Sequence, residues 1–220
     1  MKLNKYIDHT LLKPEATKSQ IINLCNEAKE YDFATVCVNS YWTKFVKSQL
    51  RNSTVGITTV IGFPLGACST ETKVFETIQA IKDGSDEIDM VINIGALKDQ
   101  DYQAVLADMK AVKNAAQNKI VKCIMENCLL SKEEIATACN LALEAGLDYV
   151  KTSTGFSSHG ATIEDVALMN EIVKDKALVK AAGGVRNYQE AIAMIDAGAS
   201  RLGTSGGVAI VKGKEHNQDY

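Results

Sequence analysis

The sequence predicts a single α/β domain, spanning residues 1–220, that folds as a (β/α)8 barrel, the TIM-barrel architecture. Short apolar runs alternate with helical patterns along the chain, as in parallel sheets built from βαβ units. Eight such runs can be counted, and 220 residues with 46% hydrophobic content suffice for one sizeable core. An open doubly wound sheet would give almost the same pattern and stays open as an alternative. A short flexible tail is expected from about residue 212.

The candidate strands are apolar runs of four to eight residues, and the first of them is the weakest. They cover residues 6–10, 33–39, 55–62, 87–93, 120–126, 149–152, 178–182 and 200–204. In a barrel of this kind the active site lies beyond the carboxyl ends of the strands. The last residues of each strand and the following loops are therefore the places to search for chemistry.

The predicted helices carry recognisable start and stop signals. Thr17, Ser131 and Thr162 each precede a helical pattern at capping-box spacing or its acidic variant. Glycines follow three Ala/Ile/Leu-rich helices and can end them in a left-handed conformation; these are Gly84, Gly146 and Gly198. The repetition of this joint agrees with a series of similar βα units.

Composition narrows the function. The formal net charge is −3 and the basic residues are scattered, which argues against nucleic acid or a membrane surface as partners. No apolar stretch reaches the roughly 18 residues of a membrane span, and the first residues lack a signal-peptide core, so we expect a cytoplasmic protein. The six cysteines form no Cys-x-x-Cys pair and are expected to be reduced packing residues. The three histidines are not spaced as metal ligands, so neither a metal nor another cofactor is expected.

Three lysines lie inside strand candidates, where a charge cannot reach solvent easily. Lys151 and Lys180 are each the last long side chain before a loop of small residues, so both should point to the active-site end. A free lysine, with a pKa of about 10.4, is only about 0.04% neutral at pH 7. A second ammonium group nearby lowers that pKa and can turn the first lysine into a nucleophile. The alternative is that each lysine pairs with a carboxylate and anchors a loop.

The third lysine, Lys122, lies earlier in its strand, and we expect a structural residue toward the stability face, paired with Glu126. Asp89 interrupts an apolar strand on the face opposite Ile88 and Met90. An isolated buried aspartate is costly, so Asp89 should have a lysine and a bound water as partners. It is then placed to move protons next to an iminium, although a purely structural salt bridge is also open.

Glycine-rich segments follow the last two strand candidates, where barrels often bind phosphate through backbone N–H groups. The candidate phosphate-binding residues are Gly183, Gly184, Arg186, Gly203, Ser205 and Gly206. Glycine pairs in turns are common without any ligand. The position of both segments after the last two strands is what favours a phosphate site.

Several ordered motifs resemble the deoxyribose-phosphate aldolase family, from about residue 6 to residue 207. They are Lys-Thr-Ser-Thr-Gly around Lys151, Lys-Ala-x-Gly-Gly-Val-Arg around Lys180, Asp-Glu-Ile-Asp-Met-Val around Asp89, Tyr-Ile-Asp-His-Thr-Leu-Leu-Lys-Pro from Tyr6, and Val-Ile-Gly-Phe-Pro-Leu-Gly from Val60. The resemblance implies that Lys151 forms a Schiff base while Lys180 and Asp89 transfer protons, Lys180 also lowering the pKa of Lys151.

The resemblance further implies a metal-free enzyme that reversibly cleaves 2-deoxy-D-ribose 5-phosphate into D-glyceraldehyde 3-phosphate and acetaldehyde in deoxyribonucleoside breakdown. The resemblance also implies that the protein is a homo-oligomer, either a dimer or a tetramer. Phe156 and Gly206 stand where some members have a lysine and a second serine, so phosphate binding is expected to depend more on backbone amides. Asn127 replaces a threonine beyond the strand glutamate. The C-terminal Tyr220 is a candidate to reach over the mouth of the barrel.

Three other functions stay open at this point. Another phosphate-binding barrel, such as an isomerase or a transaldolase-like enzyme, would share the fold and the loops but act on a different substrate. A non-catalytic barrel that senses sugar phosphates would bind ligand without turnover and would leave the paired lysines without a purpose. A metal-dependent aldolase would need clustered His and carboxylate ligands, which the sequence does not display.

Overall fold

The computed structural model describes residues 2–214, which form a closed barrel of eight parallel strands in chain order. The strands are β1 Ile7–Leu11, β2 Thr35–Asn39, β3 Gly56–Ile61, β4 Glu87–Val91, β5 Ile120–Ile124, β6 Tyr149–Lys151, β7 Leu178–Ala182 and β8 Ala199–Thr204. Pairing of β1 with β8 closes the sheet. The predicted closed barrel is therefore confirmed, and the alternative prediction of an open doubly wound sheet is wrong. The C-terminal part of the expected tail, including Tyr220, lies outside the described residues.

Helices surround the strands. They are α1 Lys18–Glu30, α2 Thr43–Gln49, α3 Thr70–Lys82, α4 Ile94–Lys98, α5 Tyr102–Ala116, α6 Lys132–Glu144, α7 Ile163–Val173, α8 Tyr188–Asp196 and α9 Gly207–Val211. Short 3-10 turns cover Asn4–Tyr6, Ser40–Trp42, Asn127–Leu129 and Lys174–Lys176. None of the helices in the described part of the chain is long and apolar enough to cross a membrane.

The helix signals read from the sequence act as expected. Thr17 and Ser131 form complete capping boxes, in which the side chain caps a backbone N–H and the third helical residue returns the bond. Thr162 accepts from the backbone N–H of Asp165. The three stop glycines have φ between 72° and 111°, a region that residues with a Cβ rarely adopt.

The strands alternate between an apolar outer face and a polar inner face. Outward residues such as Ile88, Met90 and Val121 join the main core between barrel and helices. Inward residues are mostly charged or hydroxylated, and they are described below. The period of two along each strand produces this division, since successive side chains point to opposite faces.

Candidate active site

A network of seven charged side chains fills the inside of the barrel. Its members, all buried, are Asp8 on β1, Glu87 and Asp89 on β4, Lys122 on β5, Lys151 on β6, Lys180 on β7 and Arg201 on β8. Each is joined to another member by at least one ion pair. Residues far apart in the chain meet here because the closed barrel turns alternate side chains of every strand toward one axis.

Lys151 and Lys180 are register partners on neighbouring strands and share one carboxylate oxygen. Their Nζ atoms lie 2.9 Å and 2.7 Å from Asp89 Oδ2. Lys180 has a second carboxylate, because its Nζ is also 2.5 Å from Asp8 Oδ2. Among the contacts of the described residues, Lys151 pairs with Asp89 alone. The two lysines therefore lie side by side but differ in the negative charge that they receive.

This difference separates their protonation. Burial lowers the pKa of Lys151, and the charge of Lys180 lowers it further, so the pKa stays below its usual value although Asp89 opposes the shift. Burial also acts to lower the pKa of Lys180, but Asp8 and Asp89 outweigh it and hold that pKa well above the usual value. Of the two lysines, Lys151 therefore loses its proton more readily, and Lys180 is held as the ammonium.

Asp89 connects three lysines. Its Oδ1 accepts from Lys122 Nζ at 2.8 Å, while Oδ2 faces Lys151 and Lys180. Burial acts to raise the pKa of Asp89, but the charges of these lysines outweigh it and hold the pKa well below its usual range. The resting site therefore contains a carboxylate at this position. The predicted proximity of Asp89 to a lysine is found, with three lysines instead of one.

The predicted pairing of Lys122 with Glu126 is wrong. Lys122 Nζ contacts Glu87 Oε2 at 2.5 Å as well as Asp89. Strand β5 ends at Ile124, and Glu126 adopts a left-handed conformation with φ 57°, so the alternation on which the pairing depended is broken there. Glu126 instead accepts hydrogen bonds from the backbone N–H and the hydroxyl of Thr154. It holds the loop that follows Lys151.

The two glycine-rich loops are joined by a residue that the sequence had not singled out. The Thr204 hydroxyl donates to the Val185 carbonyl at 2.7 Å and accepts from the Gly206 backbone N–H at 2.9 Å. Thr204 ends β8, whereas Val185 belongs to the loop after β7. Its side chain therefore fixes the two candidate phosphate loops against each other.

The other candidate phosphate residues occupy these two loops or the strand before them. Gly183 and Gly184 have φ of 79° and 81°, and Gly203 pairs with Ala182 between β7 and β8. The Arg186 backbone N–H donates to Glu190 Oε2 at 2.6 Å, which ties the loop to the first turn of α8. Ser205 stands between Thr204 and Gly206. All six candidates thus lie at the carboxyl ends of β7 and β8.

Comparison with known proteins identifies the family of the chain. The model of the DeoC/LacD family of aldolases matches residues 2–213. The chain belongs to that family. It is 69% identical to deoxyribose-phosphate aldolase 1 of Mesoplasma florum and 57% identical to a deoxyribose-phosphate aldolase of Streptococcus sanguinis, each over the whole of both chains. A tetrameric deoxyribose phosphate aldolase from Aeropyrum pernix, 30% identical, superposes with a TM-score of 0.88 over 96% of this chain and 89% of its own.

Three members of this aldolase's charge network were not predicted from the sequence: Asp8, Glu87 and Arg201. Asp8 accepts from Arg201 and from the Thr35 hydroxyl at 2.7 Å, while Arg201 also contacts Glu87 Oε2 at 3.0 Å. Asp8 is the second carboxylate of Lys180 and so holds that lysine charged. The signal was present, because Asp8 interrupts the weak first strand as Asp89 interrupts the fourth.

No group of three or more His, Cys, Asp or Glu side chains that could hold a metal ion occurs within residues 2–214 of the aldolase. All six cysteines are free thiols. Burial raises the pKa of the Cys139 thiol to about 12 and that of Cys25 to about 11. The thiols of Cys139 and Cys25 are therefore protonated packing groups, as the sequence had suggested.

Proposed function

We propose that this aldolase cleaves 2-deoxy-D-ribose 5-phosphate reversibly into D-glyceraldehyde 3-phosphate and acetaldehyde, with Lys151 as the Schiff-base nucleophile. The observation that carries the proposal is the shared oxygen: Lys151 and Lys180 both contact Asp89 Oδ2, and Lys180 alone has a second carboxylate. The family and the names of its full-length relatives support the substrate.

The charge balance of the network supports a neutral Lys151. The network contains three carboxylates, Asp8, Glu87 and Asp89, and four basic side chains. With Lys122, Lys180 and Arg201 charged, the network is neutral only if Lys151 is an amine. An uncompensated charge in a buried site is costly, so folding itself favours the nucleophilic form of this one lysine.

The reaction begins when the Lys151 amine adds to the carbonyl carbon of the open-chain sugar phosphate. Loss of water from the carbinolamine gives an iminium ion, which accepts the electron pair as the bond between the second and third carbons breaks. The proton of the 3-hydroxyl passes at the same time, through a water molecule, to the Asp89 carboxylate, which can return it to Lys180 across their 2.7 Å contact. D-Glyceraldehyde 3-phosphate departs, and the enamine of acetaldehyde remains on Lys151.

The second half returns the enamine to free aldehyde. A proton is added to the enamine carbon, and water then hydrolyses the iminium to release acetaldehyde and the Lys151 amine. Asp89 and Lys180 are the proposed proton-transfer groups, acting through a water molecule, because both lie within hydrogen-bond reach of the Lys151 nitrogen or its partner oxygen. Lys180, held charged by Asp8, is the proton source.

The phosphate group of the substrate is proposed to bind at the ends of β7 and β8. The candidate residues are Gly183, Gly184, Arg186, Gly203, Ser205 and Gly206. Thr204 supports the proposal because it fixes the two loops relative to each other, so their backbone groups can be aimed at one ligand. A phosphate anchored next to β7 places the rest of the sugar toward Lys151 on the neighbouring strand.

We also propose that the aldolase is a homo-oligomer that works in the cytoplasm. The tetrameric relative from Aeropyrum pernix supports the assembly, as do the exposed side chains of Tyr41, Phe75 and Ile78. The free cysteines support a reducing compartment. Analytical ultracentrifugation tests the assembly, and a monomer at micromolar concentration would contradict it.

The substrate proposal is tested by incubating the protein with 2-deoxy-D-ribose 5-phosphate in excess chelator. The expected result is equal amounts of glyceraldehyde 3-phosphate and acetaldehyde, at the same rate as without chelator. Binding of the sugar phosphate without products would indicate a sensor. Turnover that stops in chelator and returns with a divalent cation would indicate a metal-dependent aldolase.

A further inference from the structure

Six of the seven charged side chains inside the barrel form a closed ring in which positive and negative groups alternate. In order around this ring they are Arg201, Asp8, Lys180, Asp89, Lys122 and Glu87. Glu87 contacts Arg201 in turn, so each member has an oppositely charged neighbour on both sides. The three cations and the three carboxylates balance. We call these six residues the charge ring.

Lys151 is the seventh member of the network and lies outside the charge ring. Its Nζ contacts Asp89 Oδ2, the oxygen that Lys180 also contacts, and it pairs with no second carboxylate among the described residues. The other titratable side chains that face Lys151 are Lys180 from β7 and the Cys37 thiol from β2, and burial raises the pKa of that thiol. A proton on Lys151 therefore adds a charge to a ring that is already balanced.

Arg201 closes the ring at the end of the barrel remote from the candidate phosphate loops. With the first residues of β6, β7 and β8 it lines a cavity of about 470 Å³, which places it toward the amino ends of these strands. Its guanidinium joins two sides of the barrel, because Asp8 is on the neighbouring strand β1, whereas Glu87 is on β4, opposite β8 in the closed order. A substrate bound at the carboxyl ends of the strands therefore does not contact Arg201.

The Arg201 guanidinium fixes both of its carboxylates. Its Nη1 and Nη2 donate to the two oxygens of Glu87 at 3.2 Å and 3.0 Å, and its Nε donates to Asp8 Oδ1 at 3.0 Å. The Thr35 hydroxyl donates to the same Asp8 oxygen at 2.7 Å, which leaves Oδ2 for Lys180. Since the donors of a guanidinium form a rigid planar fork, Arg201 sets the orientation of both carboxylates.

We propose that Arg201 is a positioning residue that sets the pH at which Lys151 becomes a nucleophile. It acts through the charge ring. Its positive charge balances the two carboxylates that it holds, so the two ring lysines stay charged and Lys151 is the surplus cation. Without Arg201 the ring has three carboxylates and two cations, and a protonated Lys151 restores the balance. This inference rests on the proposed function, because it assumes that Lys151 is the Schiff-base lysine.

The test is the pH dependence of kcat/KM for cleavage of 2-deoxy-D-ribose 5-phosphate, whose rising limb reports deprotonation of the free enzyme. In Arg201→Met the limb should move to higher pH by roughly half a unit to one unit, because loss of a positive charge makes the Lys151 proton harder to remove. Glu87→Gln removes a negative charge from the same ring, so its limb should move to lower pH. The double variant Arg201→Met, Glu87→Gln should have a limb close to that of the wild type.

Two controls separate the charge of Arg201 from its packing. Arg201→Lys keeps the positive charge and should leave the limb in place, even where the loss of the planar fork lowers kcat. Lys113→Met removes a cation from an ion pair with Asp148 that is not part of the charge ring. Both kcat and the position of the limb should equal those of the wild type in this variant.

An unmoved limb in both Arg201→Met and Glu87→Gln, or a shift of both limbs in the same direction, would overturn the inference and leave Arg201 a structural residue. If Arg201→Met does not fold, Glu87→Gln and the double variant decide, with the limb of Glu87→Gln expected at the lower pH and equal limbs as the contrary result. The wild type is assayed first. A wild type without cleavage refutes the proposed function and the inference with it, whereas a cleaving wild type with unmoved limbs in the variants refutes the inference alone.

Discussion

Lys73 and Lys151 are two completely or almost completely buried lysines, and each pairs with one carboxylate. Lys73, on α3, lies 2.5 Å from Asp108 of α5. Asp108 also accepts from the Thr70 hydroxyl, and Lys73 is the lysine that it binds in the described structure. Lys151 has a partner, Asp89, that two other lysines also bind.

The difference shows what makes a buried lysine reactive. Burial alone penalises the charge on both lysines. In the described structure Asp108 pairs with one lysine, Lys73, so this ion pair is neutral and joins α3 to α5. Asp89, by contrast, pairs with three lysines. Lys122 has a second carboxylate partner in Glu87, and Lys180 has one in Asp8, whereas Lys151 has Asp89 alone. Lys151 is the member of the network that gains most from losing its proton.

The largest expected effect is that of Lys151→Leu. The variant removes the proposed nucleophile, so kcat for cleavage should fall by about 10⁴-fold or more. Its stability should change little, since Asp89 keeps Lys122 and Lys180. Steady-state kinetics and thermal unfolding measure the two quantities. A variant that fails to fold would return Lys151 to a structural role.

Replacing Lys180 with Met should lower kcat by roughly 10²–10⁴-fold, because the proposed proton-transfer group is lost. It should also change the pH profile. The positive charge of Lys180 lowers the pKa of Lys151, so its removal raises that pKa and leaves less neutral amine at a given pH. The rising limb of kcat/KM should therefore move to higher pH. Lys180→Arg, which keeps the charge, should leave the limb in place; an unmoved limb in the Met variant would contradict the coupling.

Lys73→Met should have the opposite profile to Lys151→Leu. It leaves the Asp108 carboxylate buried without its cation, which costs about 3–5 kcal/mol of stability. Turnover per folded molecule should be unchanged. Urea unfolding and kinetics test both parts. The double variant Lys73→Met, Asp108→Leu should recover most of the lost stability, and a loss of kcat in the single variant would show that the two regions are not independent.

The smallest effect is expected for Thr204→Val, which frees the two candidate phosphate loops from each other. Losing about 1 kcal/mol of substrate-binding free energy corresponds to a roughly 5-fold higher KM for 2-deoxy-D-ribose 5-phosphate. Turnover of unphosphorylated 2-deoxy-D-ribose should not change. Thr70→Val, which removes a hydroxyl beside Asp108 instead, is the matched control. Equal losses with both substrates would argue against a phosphate-specific role.

The sequence predicted the barrel because strand periodicity and helix signals are local properties. It also brought Lys151, Lys180 and Asp89 together, since all three are buried inward-facing side chains at or beyond the middle of their strands. It missed Asp8 as the partner of Lys180, and it placed Lys122 with Glu126. The first depends on how the eight strands are staggered around one axis, and the second on the left-handed backbone of Glu126. Periodicity along a single strand encodes neither. The edge-to-face contact between Phe63 in the loop after β3 and Phe156 in the loop after β6 likewise depends on closure of the barrel.

The central claim is that Lys151, and not the other buried lysines, carries the reaction. It is tested most directly by reducing the protein with borohydride in the presence of acetaldehyde and locating the ethyl group by peptide mass spectrometry. The account predicts modification at Lys151, with Lys73, Lys122 and Lys180 unmodified. An ethyl group on Lys180 or Lys122, with Lys151 unmodified, would contradict it.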